Sequence, residues 1–254
     1  MAVTALGADR LAPDEMVARQ TNRAPALDGE LTDEIWQAVP RIDGFADPGT
    51  GGAPFRATWM KAAYDAANLY LAVWCSEPVP ARIRARGQKD RDVWKDDSVE
   101  VFIRHTSEPS EHLQLITNTK DVHEDYQHLS ADSPGREWDS AWETRAKIGA
   151  NSWTTEIRIP LAELGVGGAP VRGDFLAFKL GREMWSHLPP DMPGTAGRVC
   201  MWPKGRTYSG SSGFGRLYFG AKNLLVNTEF TGVPNKQGFY PSWHGKPGTH
   251  GFTP

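Results

Sequence analysis

Strict alternation of apolar and polar side chains through Ser98-Val99-Glu100-Val101-Phe102-Ile103, entered by Trp94-Lys95-Asp96-Asp97, is the pattern that most restricts the fold. A period of two belongs to a β-strand, so Val99, Val101 and Ile103 are expected on one face of a sheet and Ser98, Glu100 and Phe102 on the other. One run thus supplies a core face and a partly polar outer face, with an aromatic and a carboxylate at its entrance. A ligand that stacks on a ring and hydrogen-bonds to an acid suits that outer face.

The same pattern recurs along the chain. FRATWMKAAYD, a turn over Asp65 to Asn68, and LYLAVWCSE together predict an antiparallel hairpin, and HLQLITNT predicts a further strand. SAWETRAKIG and SWTTEIRIP form a second hairpin around Gly149, Ala150 and Asn151. In it Trp153, Thr155, Ile157 and Ile159 alternate with Thr154, Glu156 and Arg158 until Pro160 ends the strand. FLAFKLGREMW, GRVCMW and GRLYFG complete roughly ten short strands separated by Gly and Pro. Helical turns are expected at LTDEIWQAV, with Trp36 as its apolar anchor, and at LAELG. The sum is an all-β fold, a two-sheet antiparallel β-sandwich of jelly-roll type. Residues 1–22 carry no clear period beyond a brief helical turn in DEMVARQT and read as an N-terminal extension. Residues 23–222 form the sandwich. From Asn223 a new pattern begins, and the Gly-, Pro- and His-rich remainder holds no second core.

A chain of 254 residues can bury a core of one such domain. Its net charge of -3, with cations scattered among acids, leaves no basic stripe for a phosphate backbone, so no nucleic-acid partner is expected. No run approaches the roughly 18 apolar residues of a membrane helix. The N-terminus lacks an apolar signal-peptide core, so an export signal is expected to be absent or already removed. Ten tryptophans suit both cores and sugar platforms. Cys75 and Cys200 each lie in a strand-like run; a disulfide is compatible with strands that meet, and two separate buried thiols are the expectation.

The order of APALDGELTDEIW, AAYDAANLYLAVWCSEP, DVWKDDSVEVFI, SWTTEIRIPLAEL, FKLGRE and GFGRLYF resembles carbohydrate-binding module family 9 and its wider group of family-9-like domains. The resemblance covers about residues 24–220 and implies a sugar-binding β-sandwich, structural calcium, and attachment to the catalytic domain of a larger extracellular or periplasmic glycan-active protein. It assigns ligand contacts to Trp94, Glu100 and Asn118. The family's arginine falls on Ile116, its second stacking tryptophan on Tyr208, and its neighbouring amides on Lys204 and Gly205. NLLVNTEFTG resembles the opening strand of a separate carbohydrate-binding sandwich.

Sugars present C–H faces that pack on aromatics and hydroxyls that need paired donors and acceptors, a need that Trp94, Tyr208, Glu100, Asn118 and Lys204 meet. Asp96 and Asp97 are hard oxygen ligands of the kind calcium takes, although two acids fall short of about six oxygens. Asp28, Asp33 and Asp65 sit in turns, where aspartates bond their own backbone. An enzyme on the same scaffold, a polysaccharide lyase or hydrolase, would use His123, His128, Tyr126 and Glu100, with an acidic glycan reached by Lys204, Arg206 or Arg182. The five-residue spacing of His123 and His128 puts their rings on opposite faces of a strand, and the cluster reads better as a solvated loop, as do His105 and His112. A haem-binding electron-transfer domain would draw on Met184, His187 or Met201, but no CxxCH is present and core filling explains the methionines. No organic cofactor is expected.

Overall fold

The computed structural model describes residues 11–104, 111–129, 136–186, 197–204 and 212–221. Twelve strands occur among them: β1 (Glu15–Gln20), β2 (Thr58–Tyr64), β3 (Asn68–Ser76), β4 (Ser98–Arg104), β5 (His112–Asn118), β6 (His123–His128), β7 (Arg136–Glu137), β8 (Glu143–Ile148), β9 (Ser152–Pro160), β10 (Phe175–Glu183), β11 (Val199–Trp202) and β12 (Gly215–Phe219). One α-helix, α1 (Glu34–Ala38), and three 3-10 turns interrupt them.

The strands run in the order β7-β6-β5-β4-β10-β12-β1-β2-β3-β9-β8, with β11 paired to β10. This path folds over so that β4, β5 and β10 pack against β2, β3 and β9. Val99, Val101, Ile103, Leu113, Leu115, Phe178 and Leu180 meet Met60, Leu71, Val73, Trp153, Ile157 and Ile159 in one hydrophobic core. The alternation in β4 and β9 therefore sorts side chains as expected, because a pleated strand sends successive side chains to opposite faces.

Two features differ from the sequence reading. DEMVARQT is not a helical turn but β1, and it runs parallel to both neighbours. Glu15–Ala18 pair with Arg216–Phe219 of β12, and Arg19 and Gln20 pair with Ala63 and Tyr64 of β2. The sandwich is consequently a curled, mixed sheet rather than a purely antiparallel one. Two open strand edges offer unpaired N–H and C=O groups, and β1 satisfies both at once, a demand invisible to local periodicity. The segment from His123 to His128 is strand β6, not a solvated loop, and His112 is buried on β5.

Trp36 anchors α1 as expected. It is fully buried with Tyr70 and Ala72 on the outer face of the second half of the sheet. Its Nε1 donates to Glu156 Oε1 at 2.6 Å, while Glu156 Oε2 accepts the N–H of Asp28 and Gly29 at 3.0 and 2.8 Å. One buried carboxylate thus fastens the whole ALDGELTDEIW segment onto β9, and burial pushes its pKa up. Asp65 bonds the N–H of Ala67 and Asn68, and Asp28 that of Glu30, the local turn role expected of them. Cys75 and Cys200 are both buried and unbonded, and burial pushes the Cys75 thiol up to about 12. Among the described residues no helix is long and apolar enough to cross a membrane.

Candidate functional site

Trp94 stands on a short 3-10 turn, Val93–Lys95, at the mouth of β4, and is 38% exposed. Two buried carboxylates hold that turn. Glu124, reaching over from β6, accepts the N–H of Val93 at 2.7 Å and of Trp94 at 3.3 Å. Asp96 accepts the N–H of Arg86 at 2.8 Å and of Gly87 at 2.7 Å, and the Asn118 side-chain amide at 2.9 Å. Gly87 is needed at this crossing, since a Cβ there would lie 2.7 Å from the Val93 Cα. A ring held on such a turn loses little freedom when a ligand binds, which is how preorganisation raises affinity.

Trp185, two residues beyond the end of β10, completes the platform. Its indole lies edge-to-face with Trp94 at 5.9 Å and 64°, and its Nε1 donates to the Trp94 carbonyl at 2.7 Å. Cations ring the pair: Arg198 sits 4.0 Å and Arg84 5.4 Å from the Trp185 centroid, and Lys95 4.9 Å from that of Trp94. Arg198 Nε also donates to Glu183 at 3.2 Å. Burial, with Glu100 nearby, pushes the Glu183 carboxyl up to about 8 despite that arginine. Lys179, buried between Phe102 and Phe214 at 4.6 and 4.8 Å from their centroids, is lowered to about 7 by burial. The outer face of β4, β5 and β10 therefore combines aromatic rings with ionisable groups whose charge burial opposes.

The family described as carbohydrate family 9 binding domain-like matches residues 27–219. The chain belongs to this family. Solved structures share its fold. One is a candidate carbohydrate-binding protein of Bacteroides uniformis, at TM-score 0.62 and 13% identity over 81% of this chain and 98% of that one. Another is a family 9 module of Caldicellulosiruptor kristjanssonii with glucose, at TM-score 0.56 and 16% identity over 84% and 99%. The same organism's family 9 module with cellotriose gives 0.57 and 15% over 85% and 98%. No curated protein sequence matches the chain.

Within this family 9 domain the residues singled out from sequence take different places. Trp94 is at the surface. Glu100 is buried beneath it on the outer face and accepts Gln114 Nε2 at 2.8 Å. Asn118 is wholly buried; besides donating to Asp96, its amide accepts the N–H of Lys120 and Val122 and so holds a turn together. Ile116 is buried on the same face. Lys204 is exposed just beyond β11, while Tyr208, Gly205, Arg206, His105, His187 and the segment from Asn223 lie outside the described residues. Trp185 was missed, although β10 alternation carries Gly181, Glu183 and Trp185 outward together.

Asp96 and Asp97, expected as calcium ligands, are both buried and both bond backbone N–H groups. Asp96 spends both oxygens as above, and Asp97 Oδ2 accepts the Arg84 N–H at 2.6 Å. The carboxylates that converge among the described residues are those of Asp90, Asp125 and Asp139, within 4.8 Å of one another. The Lys89 ammonium pairs with two of them, at 2.6 Å from Asp139 and 3.8 Å from Asp90.

The residues of the enzyme reading divide between faces. His123 stacks on Trp142 at 4.2 Å and bonds Thr144 Oγ1 at 2.9 Å, and burial lowers its pKa. His128 is on the opposite face, stacked on His112 at 4.2 Å, with Gln114 Oε1 2.9 Å from its Nε2. Tyr126 donates to Glu124. Gln114 thus links His128 to Glu100, while His123 is cut off from all three. Arg182, expected to reach an acidic glycan, points inward. It donates to the carbonyls of Ala57 and Ser76 and to Thr58 Oγ1 at 2.9–3.2 Å. Met184 is part of the hydrophobic core and Met201 is fully buried, in line with core filling.

Proposed function

We propose that this family 9 domain binds an oligosaccharide without transforming it, through the Trp94–Trp185 corner. The observation that carries the reading is an exposed indole fixed by two buried carboxylates and joined edge-to-face to a second indole, with Arg84, Lys95, Arg198 and Glu183 around it. Aromatic faces take the C–H patches of a sugar ring, and the surrounding charged groups take its hydroxyls. Carbohydrate-bound structures of family members support the class of ligand. The domain would hold a larger secreted glycan-active polypeptide at its substrate, and Lys204 is a further candidate hydroxyl partner.

The test is affinity electrophoresis in gels containing glucans, xylan or mannan, run beside assays for new reducing and unsaturated ends. Retention that falls at least tenfold in Trp94→Ala and in Trp185→Ala, without product, is the expected result; roughly 1.4 kcal/mol of lost stacking accounts for that factor. Product formation lost on changing His128 or Glu100 would establish an enzyme instead.

A further inference from the structure

On the opposite side of the molecule, four strands lay a row of side chains across their outer face. Trp59 of β2 pairs with Trp74 of β3, Trp74 with Thr154 of β9, and Thr154 with Lys147 of β8. The two indoles are parallel within 7° with centroids 5.8 Å apart. They form the floor of a groove of about 450 Å³, walled by the Gly29–Thr32 turn and Gln37. That volume falls in the range of small-ligand sites. The wall is not adventitious: Glu156 holds it from beneath, and Thr154 Oγ1 donates to the Gly29 carbonyl at 2.6 Å.

We propose that this groove is a second saccharide-binding surface, independent of the Trp94–Trp185 corner, and that it takes a segment of glycan chain. The proposal rests on the carbohydrate-binding reading above but on different residues and on the other half of the sheet. Two stacked, half-buried indoles offer one apolar body against which sugar rings can pack. Around them are groups that can bond sugar hydroxyls. Lys61, with its Nζ 5.7 Å from the Trp59 centroid, gives one N–H to the Trp36 carbonyl and keeps two for a ligand. The Lys147 ammonium is paired with Glu30, which leaves Lys61, among the described residues, as the one lining cation without an acid beside it. Gln37 gives its amide N–H to the Leu31 carbonyl and presents its oxygen as an acceptor. The floor crosses four antiparallel strands spaced about 4.8 Å apart, a span that suits a segment of chain rather than a single sugar.

The experiment uses the full chain as wild type, Trp94→Ala, Trp74→Ala and the double variant, in affinity gels of cellulose derivatives, xylan and mannan. Cellohexaose titration, followed at the indole N–H resonances, serves as the second readout. Trp94→Ala is expected to keep residual retention on at least one polymer and to show shifted resonances for Trp59 and Trp74. Trp74→Ala is expected to weaken retention of wild type by roughly three- to tenfold, and the double variant to lose it. Retention that vanishes in Trp94→Ala and is unchanged in Trp74→Ala, with the Trp59 and Trp74 resonances unmoved, overturns the groove and leaves the first site standing. Retention that depends on Trp74 alone overturns the Trp94–Trp185 assignment and keeps the groove. No retention of the wild type on any polymer overturns both. Trp74→Phe, which keeps a ring in place, should restore retention if Trp74→Ala has merely loosened the strand.

Discussion

The two outer faces of the sheet carry tryptophan pairs of opposite design. Trp94 and Trp185 meet edge-to-face on turns, and their positions depend on buried carboxylates, Asp96 and Glu124, that hold backbone N–H groups. Trp59 and Trp74 are parallel neighbours on paired strands, and the ladder alone sets their spacing. The first arrangement can be moved or lost by changing a single acid; the second cannot be moved without unpairing β2 from β3. A turn-borne platform surrounded by arginines suits selective recognition, and a strand-borne one suits tolerant stacking along a chain.

The comparison breaks most sharply at Asp96. Asp96→Ala strips acceptors from the N–H of Arg86 and Gly87 and from the Asn118 amide, all in a buried setting. The expected cost is about 4 kcal/mol in urea unfolding, with loss of Trp94-dependent retention and preservation of the Trp74-dependent component. Glu156→Gln is the mirror experiment. It keeps the volume but points an amide at donors from Asp28, Gly29 or Trp36, so roughly 2 kcal/mol of stability is expected to go. Cellohexaose shifts at Trp59 and Trp74 should weaken, while those at Trp94 persist. Swapped outcomes for these two variants would mean that the faces are coupled rather than separate.

Among the described residues the first face carries Glu183 and Lys179, whose large shifts bring them into the range around neutrality, so pH should separate the two faces. Glu183, at about 8 against 4.5, binds more proton folded than unfolded, so stability falls as pH rises through that interval. Lys179, at about 7 against 10.5, binds less proton folded, so stability rises with pH across its interval. Urea midpoints measured from pH 5 to pH 10 should pass through a shallow minimum near neutrality. Glu183→Gln should flatten the acid limb and Lys179→Met the alkaline limb. The smallest effect is expected at the Lys147–Glu30 pair, half exposed on the second face, where Glu30→Gln should change stability by less than about 0.5 kcal/mol.

Much of the first site was legible because its residues lie within one run. WKDDSVEVFI showed the strand, its buried face and the entrance of Trp94. What could not be read there was the use of the acids. Asp96 reads as an oxygen ligand in the sequence, and only the fold brings the N–H groups of Arg86 and Gly87 back over it; Asn118 reads as a sugar contact, and only the fold shows its amide bonded to Asp96. Trp185 had a local signal in the outward set of β10, but its partner is 91 positions away. The second face was equally present in the text, as TWM and VWC in adjacent strands, yet alternation in those runs marks only sides. It does not mark which side remains open after α1 and the Gly29 turn have settled on it.

Sequence alone determined the strands and the two faces of each, because side-chain direction in an extended chain depends only on position along it. It also determined the family, through motifs whose order survives where individual contacts have changed. Tertiary structure decided the mixed sheet, since β1 finds its place only when the edges of β12 and β2 stand open on either side of it. It decided, too, which buried charges support a platform and which tryptophans come to share one. Such pairings arise between segments far apart in the chain, where closure and burial, not local pattern, determine which groups meet.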